Sequence, residues 1–236
     1  MTRVGENPPR LPKRFYKEAR GEAGAVLLDG RPAKTRAGNR LSPPGPLLLN
    51  AIVEEWNAQV AQIDFAAMPM TRFAMTVIDL GERDAAAWRA VILSHLQSDL
   101  LCYRAAGPAT LVERQSAAWD PLLDWARRRR GLALATAAGV SFIAQPTEAI
   151  EAGERALARL SPAQLLGLKT AAEISGSAVI ALALADQAFA PETLFEASRV
   201  DEAHQRAHWG ADAEAVAREA ALRRDFLDAA RFLSLV

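Results

Sequence analysis

One cysteine, Cys102, occurs in 236 residues, so no disulfide can close within the chain, and this usage suits a reducing compartment. Net charge is also missing: 28 basic residues cancel 28 acidic ones. That balance argues against a nucleic-acid or anionic-membrane surface spread over the whole molecule, while leaving room for a local patch. Long apolar runs are absent, and the longest, Ala178 to Ala185, is far too short to span a bilayer. The N-terminus MTRVGENPPRLPKRF has charges and prolines where a signal peptide would be apolar, and Pro8, Pro9 and Pro12 would break the helix of a transit peptide. Catalytic motifs are lacking too. Neither Gly-x-x-x-x-Gly-Lys nor Gly-x-Gly-x-x-Gly occurs, and there is no Gly-x-Ser-x-Gly elbow. Cys102 follows Leu100 and Leu101, where burial would raise its pKa and leave it inert. A soluble intracellular protein, long enough for one large domain or two small ones, is the expectation.

What is there reads as an α+β chain. Residues 1–13 suggest a flexible leader, and residues 14–41 a small antiparallel β module. Within it, Phe15 and Tyr16 open a strand and Ala25–Leu28 form a second. Asp29-Gly30 is a hairpin turn, because both positions want φ > 0, and Arg31–Thr35 returns with Pro32 on an edge. Gly38-Asn39 marks a further turn. Such a sheet is too small to stand alone.

Residues 42–236 read as a larger, all-α helical domain. Ser42, Pro43 and Pro44 open a helix striped by Leu48, Ile52, Trp56 and Val60, with Glu54, Glu55 and Asn57 facing elsewhere. Thr71 is placed as the N-cap of the next helix, and Asp84 as the start of another. Asp120 is expected as an N-cap with Pro121 as the first helical residue, and Gly131 as the stop. The arginines at 127–130 complement the dipole of that helix end, and 139–143 suggest a short extended piece. Ser161-Pro162-Ala163-Gln164 is a capping box opening a helix expected to run through Ser175-Gly176-Ser177 into a buried Val179–Leu184 stretch. Further helices are expected from Glu192 to about Trp209 and from Asp212 to Leu235. Trp56, Trp119 and Trp125 are the expected core tryptophans.

Two constellations carry candidate chemistry. His204 and His208 share a helix face, but His-Glu-x-x-His is absent and no third ligand is evident, so the expectation is a polar helix face with no metal and no cofactor. Asp201 and Glu202 open the same helix, where the dipole favours acidic groups. Gln205 and an anchoring Trp209 follow. Only Arg199 and Arg206 lie near enough in sequence to pair the two acids.

Separate blocks, in order along the chain, resemble the ATP12 family, the assembly chaperones of the F1 part of ATP synthase. The central one is SDLLCYRA…LVERQ…AWDPLLDWA, with Ser98, Asp99, Tyr103, Arg104, Trp119, Asp120 and Trp125 as its signature. LDGRPAKTRAGNRL is similar to the family's hairpin. EEWNAQ around Trp56 and MPMTRFAMTVID match further segments. Asp201, Glu202, Gln205 and Trp209 match a C-terminal signature of acidic residues followed by Gln-x-x-x-Trp-Gly, with Val200 where leucine is commoner. The resemblance spans roughly residues 14–215. It implies a non-catalytic, monomeric chaperone that binds the unassembled α subunit of F1-ATPase, with Asp201, Glu202, Gln205 and Trp209 at the client contact. The implied place is the bacterial cytoplasm, with eukaryotic relatives in the mitochondrial matrix. An opposing reading is an enzyme or small-ligand binder with a pocket between β module and helices, using His204 and His208 or Asp99 and Arg104.

Overall fold

The computed structural model of the chain describes residues 11–139, 141–210 and 212–236. Most of the leader expected over 1–13 thus lies outside the described residues. Of its end, the Pro12 carbonyl accepts from Ile63 N at 2.8 Å. The contacts of the chain divide it into two compact units, one up to Asp79 and one from Leu80 on; the sequence pattern places the boundary near residue 42.

In the first unit, β1 (Ala19–Glu22), β2 (Ala25–Leu28) and β3 (Arg31–Pro32) form an antiparallel sheet in that order. Asp29 and Gly30 take φ of 46° and 79°, the left-handed pair that a two-residue hairpin requires. Pro32 sits on the edge strand opposite Leu27, where its missing N–H interrupts no ladder. The expected strand at Phe15 and Tyr16 starts later, at Ala19. Tyr16 instead buries its ring, and its hydroxyl donates to the Trp56 carbonyl at 2.5 Å.

Helix α1 (Pro46–Asn57) begins later than Ser42. Ser42, Pro43 and Gly45 each precede a proline and are biased to extended backbone, so Pro46 is the first residue free to start. Leu48, Ile52 and Trp56 are buried as the spacing requires, while Val60 lies past the helix and is exposed. Glu55 does not face solvent. Its buried carboxylate accepts from Met70 N, Thr71 N and Thr71 Oγ1, each at 2.7 Å. Thr71 is therefore not an N-cap: α2 (Pro69–Gln97) starts at Pro69, and a neighbouring helix supplies the acceptor for its free amides. The helix runs unbroken through Asp84.

The second unit is helical. A 3₁₀ turn at Leu100–Cys102 leads to β4 (Tyr103–Arg104), which pairs in parallel with β5 (Ala137–Ala138). That pair lies just before the extended piece expected over 139–143, of which Val140 is outside the described residues. Between the strands runs α3 (Ala109–Arg130), ended by Gly131 at φ 70°. Pro121 lies inside this helix, so Asp120 is not its cap. One lost backbone bond there is outweighed by burial of Trp119 and Leu122 on either side.

Then come α4 (Thr147–Ala158), α5 (Pro162–Ser175), α6 (Ala178–Ala185), α7 (Pro191–Ala197), α8 (Val200–Trp209) and α9 (Ala213–Ser234). The Ser161–Gln164 capping box forms in full. Its helix does not continue into α6: Gly176 turns left-handed at φ 73°, and the Ser177 side chain accepts from Ile180 N at 3.0 Å. Likewise the single helix expected from Glu192 to Trp209 is two, separated at Ser198 and Arg199. α5 packs most extensively on α9 and α6. Trp119 is buried, whereas Trp125 is only half-buried, edge-on to Phe189 at 6.4 Å. Among the described residues, no helix is long and apolar enough to cross a membrane.

Candidate functional site

A cleft of about 650 Å³ opens in the second unit where the C-terminus of α5, the start of α8 and α9 approach one another. Leu100, Trp119, Ile174 and Leu222 give it apolar walls. Glu173, Asp201, Glu202, Gln205 and Arg199 supply its polar groups, three carboxylates against one guanidinium. Three of the four residues of the C-terminal signature thus meet in one concave surface. The fourth, Trp209, stands at the far end of α8 with 82% of its surface exposed. It does not anchor the helix to its own core.

Each acidic group is held by a different neighbour. Asp201 Oδ1 accepts from Gln115 Nε2 at 2.7 Å. Glu202 Oε1 accepts from Arg199 Nη1 at 3.1 Å, and Glu173 pairs with Lys169 at 2.6 Å. Asp201 and Glu202 are thus both partnered, the first by a residue far away in sequence. Arg206, the other nearby cation, pairs with Glu219 on α9 instead. Arg199 also donates to the Ile174 carbonyl and lies 5.7 Å from the Phe195 ring, so it ties α8 to α5 and α7. One guanidinium fork serves several acceptors here, as lysine could not.

The central block supplies Leu100 and Trp119 to the walls of this cleft and otherwise builds its frame. Gln115, 1% exposed, accepts from Ala105 N at 2.8 Å and hands its amide to Asp201, so one side chain links the β4 loop to α8. Trp119 Nε1 donates to the Ala197 carbonyl at 2.7 Å, pinning α3 under the end of α7. Arg104 sits 5.1 Å from the Trp119 ring and pairs with Asp120 at 2.7 Å. Asp99 is fully buried. Its carboxylate accepts from Leu101 N at 3.1 Å and Val179 N at 3.0 Å, satisfying the starts of the 3₁₀ turn and of the apolar helix α6. Burial pushes its pKa up to about 6, against the lowering effect of Ser177 and the backbone amides.

The remaining candidates lie elsewhere. Ser98 is exposed and bonds back to Ser94, Tyr103 pairs through its backbone with Ala137, and Trp56 belongs to the first unit. Burial pushes the Cys102 thiol up to about 12. The His204 and His208 rings stack at 4.4 Å, and burial, with His208 and Arg114 beside it, lowers the His204 pKa. Among the described residues no group of three His, Cys, Asp or Glu side chains could hold a metal. Sequence reasoning missed Glu173 and Arg199 as parts of the cleft and Gln115 as the support beneath it. Gln115 lay inside the quoted LVERQ block, but nothing in that block reveals that it reaches α8.

The sequence profile described as ATP12 chaperone protein matches residues 13–127. Three solved structures match nearly the whole chain, each covering 95% of it. A mutant of Atp12p from Paracoccus denitrificans superposes with a TM-score of 0.90 at 34% identity, over 97% of that chain. Atp12 from the same organism gives 0.87 at 34%, over 98%. A proposed chaperone from Agrobacterium tumefaciens gives 0.89 at 38%, over 86%. With likeness along nearly the whole chain at 34% identity or more, the chain belongs to the ATP12 family of chaperones in F1-ATPase assembly.

Proposed function

We propose that the chain binds the unassembled α subunit of F1-ATPase as a monomer in the bacterial cytoplasm, shielding its subunit interface until a partner subunit replaces it. The observation that carries this reading is the acidic cleft, where Asp201, Glu202 and Gln205 share a concave surface beside apolar Ile174 and Leu222. A subunit awaiting its neighbour exposes an apolar interface that invites aggregation. A cleft with apolar walls and a surplus of carboxylates suits an apolar segment flanked by basic side chains. Exposed Trp209 on the same helix adds a large aromatic contact of the kind that dominates interfaces. The role needs no catalysis: Asp99 is enclosed and committed to backbone amides, and Arg104 is paired with Asp120.

The test is charge reversal at the cleft. Glu202 is exposed, and its pair with Arg199 is worth at most about 1 kcal/mol. Glu202→Lys therefore leaves the melting temperature within a few degrees of the wild type. Its affinity for isolated α subunit, measured by titration calorimetry, falls about tenfold or more. Unchanged affinity removes this cleft from the client contact.

A further inference from the structure

A second concave surface lies in the first unit, and its uncommitted charged groups are of the opposite sign to those of the acidic cleft. A groove of about 560 Å³ is floored by Tyr16, Leu28 and Trp56 and flanked by Phe15, Arg31 and Lys34. Phe15 at its mouth is 73% exposed although its ring touches Tyr16 edge-on at 5.5 Å. An aromatic ring held in place by a neighbour yet left in water is an unfilled apolar contact. Trp56 is 4% exposed, and its indole N–H has no hydrogen-bond partner in the fold. That N–H is itself enclosed, so Trp56 gives the groove an aromatic floor rather than an open donor.

The charges around the groove fix the kind of occupant. Asp29, its one acidic lining residue, is already committed: its carboxylate accepts from Lys17 N and Glu18 N, all at 3.0 Å. These amides hold its pKa below the ordinary value. Arg31 and Lys34 are exposed and make no ion pair among the described residues. The groove therefore combines an aromatic floor and two free cations. We infer that it is a second protein-docking site, which takes an extended segment carrying an apolar side chain beside carboxylates. The apolar side chain lies against Phe15 and Leu28, and acidic side chains meet Arg31 and Lys34.

The site can be tested with peptides and the intact chain, without the α subunit, so its failure is separate from failure of the client reading. Two seven-residue probes are compared, one with a phenylalanine flanked by aspartates and one with lysines in their place. The protein has five tryptophans, so ¹⁵N-indole labelling gives five signals, with Trp56 assigned through Trp56→Phe and, independently, through the shift caused by Phe15→Ala. The acidic probe moves the Trp56 signal saturably. The lysine probe binds at least tenfold more weakly, and so does the acidic probe to the double variant Arg31→Glu, Lys34→Glu, whose altered side chains are exposed. A Trp56 signal that stays still at saturation overturns the proposal, as does equal binding of both probes. A signal that moves with protein concentration alone also overturns it, by assigning the groove to a second copy of the chain.

Discussion

At the scale of single residues, the cleft rests on buried polar groups that work through others. Gln115 satisfies Ala105 N and Asp201 at once while almost wholly enclosed. Gln115→Leu leaves a buried amide without an acceptor and destabilises the chain by about 1–3 kcal/mol, read from the midpoint of urea unfolding. Trp56 packs edge-on against Tyr16 at 5.5 Å and Phe65 at 6.0 Å. Trp56→Ala costs about 3–5 kcal/mol, as large core truncations do; a melt within a degree or two of wild type would contradict its burial. Asp99 makes a pH prediction whose sign follows from its raised pKa of about 6 against an ordinary 3.8. The folded state holds this proton more tightly than the unfolded one, so the contribution is present below pH 4 and lost as pH rises through 6. About 3 kcal/mol is at stake over that window. Comparing urea midpoints of wild type and Asp99→Asn from pH 4 to 7 checks it: the difference between the two changes across that interval, and a constant difference would mean Asp99 titrates normally.

At the scale of elements, what a sequence pattern conveys and what it conceals separate cleanly. The Asp29-Gly30 hairpin, the Ser161–Gln164 box and the Gly131 stop were legible because each is a local bargain between neighbouring residues. The continuation of α3 through Pro121 and the start of α2 at Pro69 were not, because burial of flanking side chains and a carboxylate from α1 decided them. The break at Gly176 was hidden in an apolar stretch that reads equally well as one long helix or two. Glycine also sets how closely two helices lie. A Cβ on Gly167 of α5 would stand 2.7 Å from Leu233 Cδ2 and 3.3 Å from Phe232 Cδ1 on α9. Gly167→Ala therefore overpacks this contact and lowers stability by about 1–3 kcal/mol despite alanine's better helix propensity. A gain in melting temperature would show that Leu233 yields without cost.

Across the whole molecule, the class of fold and the C-terminal signature were readable, but the site they form was not. Asp201 and Glu202 are adjacent in sequence, whereas Glu173, Ile174 and Leu222, which complete the cleft with them, come from other helices. No periodicity on α8 could announce that meeting. The same holds for the first unit, where Phe15 and Trp56 share a groove with Arg31. Protection of the α subunit from aggregation tests the central claim most directly. Isolated α subunit is diluted from denaturant and its light scattering followed with equimolar wild-type chain or with Glu202→Lys. The account predicts that the wild type keeps scattering near baseline and that the variant, though folded, does not. Equal protection by both proteins would contradict it.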